Sequence, residues 1–198
     1  MANHAKFDRD DVVEKAKNLY WEKGFHATSM RNLQDVIDMR PGSIYSTFGS
    51  KENLFKEALL RYSSDFDQRI ELCCNEEQSP LEALKLFVKA SVIDSRHSAP
   101  SGMCMLVKTV AELTDENKEL LSEAQRLLKN VETQFSRVIR MSIERGELDS
   151  ASDPIKLARY LQVQVIGLRT YVRANNNEQD ALDLLNDIFE TGPLKRVK

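Results

Sequence analysis

The stretch MRPGSIYSTFGSK, from Met39 to Lys51, carries two cations, Arg40 and Lys51, and no acid. Pro41, Gly42 and Ser43 at a helix start leave free N–H groups and little side-chain bulk, so the backbone can come close to a phosphate or a groove edge. Ser43, Ser46 and Thr47 offer hydroxyls to phosphate or base, and the Thr47 methyl suits a thymine methyl. Tyr45 presents a phenol to a phosphate. Lys51, opening the next helix, adds its charge to the amides of that helix end, a clamp for a phosphate oxygen. Arg31 and Arg40 carry planar forks able to grip guanine or phosphate through two bonds. This is the chemistry of recognising a polyanion.

An enzyme would need a nucleophile and a base within reach of each other. Cys104 and His97 are the available pair, seven residues apart across Pro100 and Gly102, and nothing in that spacing brings them together. His4, His26 and His97 are scattered, and there is no Gly-rich phosphate loop or metal-ligand cluster. No catalytic residue, metal or cofactor is expected. The competing reading of another class is a helical protein-interaction adaptor, which would show no salt-dependent binding to DNA.

The elements that must position these groups are helical. The chain has 198 residues, 41% hydrophobic and 30% charged, with 7 Gly and 5 Pro. Stretches rich in Leu, Ala, Glu, Lys and Arg run without a breaker, which predicts an all-α fold. No apolar run approaches the ~20 residues that cross a bilayer, and the amino terminus MANHAKFDRDD lacks the apolar stretch of a signal peptide. A cytoplasmic location without membrane contact is expected. Three cysteines, with Cys73 and Cys74 adjacent, form no framework of spaced pairs, in keeping with a reducing compartment. The net charge of −3 on its face argues against a polyanionic partner. Residues 1–53, however, hold 8 Lys+Arg and 8 Asp+Glu against 20 and 23 in the remainder, so the acidic excess lies outside the first quarter.

Apolar spacing predicts about nine helices, no strand and no internal repeat. The first, over 8–23, buries Val12, Val13, Ala16, Leu19 and Tyr20 and stops at Gly24. A short second helix, capped by Thr28 or Ser29, turns Met30, Leu33, Val36 and Ile37 inward. Asp38 to Arg40 form a tight turn in which Asp38 tolerates the left-handed region. Pro41 suits the first position of a third helix that Gly49 ends. A long helix over about 51–74 follows, then one from Leu81, a short apolar segment over 103–113, and a long helix over 114–145. The last two begin at Pro154 and before Ala181. The second and third helices, joined by three or four residues, have the dimensions of a DNA-reading helix-turn-helix.

Residues 28–55, TSMRNLQDVIDMRPGSIYSTFGSKENLF, resemble the amino-terminal signature of the TetR/AcrR family of transcriptional regulators. The match runs from the Thr-Ser start through Pro41-Gly42-Ser43-Ile44-Tyr45 and Phe48 to Ser50-Lys51-Glu52 and Leu54, with Phe7 and Gly24-Phe25 bracketing the first helix. It implies that Ser29, Met30 and Arg31 face the groove and that Ile44 and Phe48 face the core. It also implies an amino-terminal three-helix DNA-binding domain, residues 1–50, followed by a ligand-binding and dimerisation domain, residues 51–198. Gln34, Asp38 and Arg40 depart from the common pattern, and Arg40 replaces a Ser or Thr cap. The resemblance makes the chain a regulator, in most members a repressor, that leaves a palindromic operator when a small-molecule inducer binds.

Helix-turn-helix readers work as dimers because one short helix makes too few contacts. The faces Leu161, Val165, Leu168 and Val172, with Gly167 allowing close approach, and Leu182, Leu185, Ile188 and Phe189 are the expected homodimer interface. The expected ligand pocket has walls from Phe87, Met103, Cys104, Met105, Leu106, Val138 and Met141. Coupling to the head is expected through the long helix over 51–74. The segment Ser101-Gly102-Met103-Cys104-Met105-Leu106-Val107-Lys108 resembles one in a TetR subgroup that includes thiol-based sensors of electrophiles and reactive chlorine. That likeness implies an alternative signal at Cys104, with Lys108 one turn away to favour a thiolate.

Overall fold

The computed structural model describes residues 8–197 apart from 97 and 176, so Phe7, His4 and His97 lie outside the described residues. Nine α-helices are present among them: α1 Arg9–Lys23, α2 Met30–Ile37, α3 Pro41–Phe48, α4 Lys51–Glu76, α5 Pro80–Val92, α6 Met105–Glu112, α7 Lys118–Glu144, α8 Pro154–Asn175 and α9 Glu178–Glu190. Short 3-10 turns occupy Asp94–Arg96 and Asp115–Asn117. The second of these stands where the sequence predicts the start of the long helix over 114–145. The acids there still sit at a helix entrance, but the regular turns begin at Lys118.

Local chemistry sets the boundaries of the head. Asp8 caps α1 by accepting from the Asp10 and Asp11 amides. Ser29 caps α2 through a reciprocal pair with Asn32, satisfying two amides that the helix leaves free. Thr28 instead turns inward and donates to the Gly24 carbonyl at 2.6 Å. Leu33 and Ile37 are the buried residues of α2, whereas Val36, expected inside, is 41% exposed. The cause is that so short a helix packs along one narrow seam on α1, and position 36 falls off its edge. Arg40 provides no side-chain cap to α3, and Pro41 supplies the preset φ of the first turn.

Asp38 ends α2 at φ 52°, ψ 44°, the left-handed region. A β-carbon is strained there, less for Asp than for most residues. Asp38→Gly should therefore hold or raise stability, by up to about 1 kcal/mol, and Asp38→Val should lower it by about 1–2 kcal/mol. Urea unfolding of the two variants orders them, and a Val variant as stable as the Gly variant would contradict the assignment.

α4 is the shaft of the molecule. Its first half packs on α1 and α3, and further along it meets α5, α6 and α7. Tyr20, Phe25 and Phe55 cluster at the head end with ring centroids 4.8 and 5.0 Å apart, and Phe66, Phe87 and Phe135 cluster at the other. α8 packs on α7, and α9 packs on α8 and α5.

Candidate nucleic-acid interface and the cavity behind it

α2 and α3 present one polar face outward. Ser29, Arg31, Arg40, Pro41, Gly42, Ser43, Tyr45 and Ser46 are exposed and Thr47 is half-exposed, while Ile44 and Phe48 are buried beneath them. A β-carbon at Gly42 would meet nothing within 4 Å, so the start of α3 lies open to an approaching surface. Ser46 turns its hydroxyl to the Ser43 carbonyl, 3.0 Å away. Met30 is only half-exposed and packs against the core.

Lys51 differs from the expectation of a free phosphate clamp. Its ammonium donates to the Phe25 carbonyl at 2.7 Å and sits 4.2 Å from the Phe25 ring centroid. Desolvation there pulls its pKa below the ordinary lysine value. Lys51 is thus engaged inward, tying the start of α4 to the corner between α1 and α2. Arg9, which sequence reasoning passed over, braces the other end of α3. It lies 4.6 Å from the Phe48 ring centroid, pairs with Glu57 at 2.5 Å and reaches the Thr47 carbonyl at 3.5 Å.

A second set of bonds joins the head to the short helix α6. The Trp21 indole donates to the Met103 carbonyl at 2.7 Å. Lys108 donates to the carbonyls of Trp21 and Glu22 at 2.6 and 2.9 Å, capping the end of α1 instead of standing ready for a thiolate. Glu112 accepts the Phe25 and His26 amides, one on each carboxylate oxygen, at 3.1 and 2.7 Å. Gly24 makes room: at φ +88°, a β-carbon would lie 2.5 Å from Glu112 Oε2. None of this was visible in the sequence, where Lys108 stands only as a neighbour of the Cys104 thiol and Glu112 looks like an ordinary surface charge.

The other face of α6 borders a cavity between α4, α5, α7 and α8. Its interior leaves about 50 Å³ to the centres of water-sized groups. Cys104 and Val107 of the α6 segment meet Phe66, Phe87, Phe135 and Arg169 there. Of the expected walls, Phe87 and Cys104 are on it. Met105, Leu106 and Val138 are instead packed solidly in the core, and Met103 and Met141 face elsewhere. Apolar spacing names the inward face of a helix but not which inward residues border a void.

The expected pairing face is likewise turned inward. Leu161, Leu168, Val172, Leu185, Ile188 and Phe189 are buried within the single chain, Leu182 packs against its core, and Val165 lines the cavity. Most of their surface is therefore spent within the chain, although Leu168 and Ile188 also border a groove between α8 and α9. The outward face of α8 instead offers Tyr160, Val163 and Gly167, with Leu184 on α9 beside it. Val163 is 65% exposed, and a β-carbon on Gly167 would touch nothing. Among the described residues, no three His, Cys, Asp or Glu converge as metal ligands, and no helix is long and apolar enough to cross a membrane.

The model of bacterial regulatory proteins of the tetR family matches residues 12–58, which covers this head. A tetracyclin repressor-like C-terminal domain matches residues 80–185, which covers α8 and the cavity walls from α5 to α8. The chain belongs to the tetR family. It is a DNA-binding transcriptional regulator and not an enzyme. Among relatives, it is 25% identical over 189 residues to the HTH-type transcriptional repressor ComR of Escherichia coli K12, covering 94% of this chain and 90% of that one. A tetR-family regulator from Cytophaga hutchinsonii has the same fold, with a TM-score of 0.86 at 21% identity over the whole of both chains. So does a cysteine mutant of the tetR-family regulator CifR solved with 26-bp operator DNA, with a TM-score of 0.83 at 22% identity, covering 93% and 96% of the chains. The tetR-family regulators are dimers that bind inducers.

Proposed function

We propose that the chain is a cytoplasmic repressor that grips a palindromic operator as a homodimer and releases it when a small molecule enters the cavity. Residues 1–50 form the reading head, and 51–198 the sensing and pairing part. Ser29, Arg31, Arg40, Pro41, Gly42, Ser43, Tyr45, Ser46 and Thr47 contact DNA, with Met30 and Lys51 positioning the surface from behind. Two copies meet along the outward face of α8 and α9, at Tyr160, Val163, Gly167 and Leu184. The observation that carries this reading is α6. Cys104 and Val107 stand on the cavity while Met103, Lys108 and Glu112 are bonded to the head, so a shift of one short helix moves the end of α1. Coupling through α6 supplements the path expected along α4.

The test is operator binding over a range of salt. Arg31→Ala or Arg40→Ala, each removing one cation per head and two per dimer, should flatten the log–log salt slope by about 2. Binding that is insensitive to salt, or unchanged in both variants, would return the chain to the adaptor reading.

A second reading has its own support. Cys104 stands at the amino-terminal cap of α6, beside Tyr62 and Arg169 on the cavity wall. Covalent capture of an electrophile at this thiol would push on α6 as a bound ligand does. N-ethylmaleimide should then release operator from the wild type and not from Cys104→Ser, whereas equal release from both removes the thiol from the mechanism.

A further inference from the structure

We propose that the cavity takes a small organic monoanion, a carboxylate on a short apolar or aromatic body, with Arg169 as its counter-ion. The proposal rests on the reading of this cavity as the regulatory site and names the class of ligand.

Arg169 is 6% exposed and lines the cavity from α8. Its Nε and Nη2 donate to one atom, the Ser91 carbonyl oxygen, at 3.1 and 2.7 Å, and its Nη1 reaches the Tyr62 hydroxyl at 3.5 Å. A guanidinium has five N–H donors, and here they meet two neutral oxygens and the Cys104 thiol beside them, with no carboxylate among the partners. Among the described residues no Asp or Glu pairs with it, and none lines the cavity. Burial also holds the Tyr62 phenol far above the usual tyrosine range, so it supplies no negative charge.

Among the described residues, the other buried cation is held differently. Lys17, 5% exposed, is bracketed by Glu14 at 2.7 Å and Asp65 at 2.5 Å. An uncompensated buried charge is costly, and the cost falls when an anion joins it. Arg69, half-buried on the same wall, donates only to the Asp65 carbonyl of its own helix at 3.3 Å and adds a second positive end. Apart from Cys104 and Gln162, whose amide nitrogen donates to the Leu128 carbonyl, the remaining lining is apolar, with Phe66, Phe87, Phe135, Leu128, Val131 and Val165 around the space. Cationic groups beside an apolar space suit a carboxylate on an apolar body. The enclosed space of about 50 Å³, several times what one water needs, suits a short chain or a single ring.

Titration calorimetry on the DNA-free full-length dimer tests the assignment with butanoate, hexanoate and benzoate against butanamide, hexanamide and benzamide. At least one acid should bind about tenfold or more tightly than its amide. Arg169→Lys should keep that preference and Arg169→Met should abolish it. Since Arg169→Met also strips partners from Ser91, Val165→Phe serves as an independent variant: it fills the cavity, leaves the guanidinium alone, and should block the acid. The assignment is overturned if amides bind as well as acids, if no acid binds up to about 10 mM, or if acid binding survives Val165→Phe. Operator release is measured separately. An acid that binds the cavity without releasing operator sustains this assignment and defeats the inducer reading.

Discussion

Glu112→Ala is expected to raise the operator dissociation constant about tenfold and to lower folding stability by about 1–3 kcal/mol. Each carboxylate oxygen accepts one backbone amide, from Phe25 and from His26, at the corner where the chain leaves α1 for α2. Removing the acceptor leaves the part-buried Phe25 amide without its partner and frees the corner that orients the reading helices. Affinity falls because the heads are no longer held in one arrangement, although no DNA contact has changed. Glu112→Gln should recover only part of the loss, because an amide nitrogen cannot accept the second bond. Gly24→Ala should act in the same direction, since a β-carbon at φ +88° would press on Glu112 Oε2. Fluorescence-anisotropy titration of an operator fragment, with urea unfolding alongside, reads both quantities. An unchanged operator affinity in Glu112→Ala would remove α6 from the coupling route.

Phe135→Ala should cost about 3–5 kcal/mol, a large share of a single domain's stability. The ring is 1% exposed and stands edge-on to Phe66 and Phe87, with centroids 5.7 and 6.1 Å away. Its neighbours come from α4 and α5, and rigid helices do not collapse into the space that a lost ring leaves. The enlarged cavity should accept bulkier ligands than the wild type while the head, which Phe135 does not touch, still binds operator. A loss under about 1 kcal/mol would mean that the wall closes over the gap, and the aromatic cluster would not then be what holds the cavity open.

Much of the head was legible from the sequence, but not the exposure of Val36, the inward turn of Lys51 or the brace at Arg9. The bounds of α3, a cap at Thr28 or Ser29 and a left-handed Asp38 follow from interactions within a few residues, and the burial of Ile44 and Phe48 was implied by the family resemblance. The same reasoning failed on α8. Leu161, Leu168 and Val172 were rightly grouped on one face, but periodicity cannot say whether that face meets its own α7 or a second copy. It failed likewise for the cavity, where Met105 and Val138 fill space and Phe66, Val131 and Arg169 border it.

The sequence by itself determined the helical class, the reading head and the family, because caps, turns and amphipathic spacing act over one or two helical turns. Only the tertiary structure decided that Lys51 and Lys108 serve backbone carbonyls, that Glu112 latches the head to α6, and that Arg169 lies buried without a carboxylate. Each of these depends on groups at least 26 residues apart meeting across packed helices, the shortest being Lys51 with Phe25. A side chain's charge is written in the sequence, but its partner is set by the packing that brings the two together.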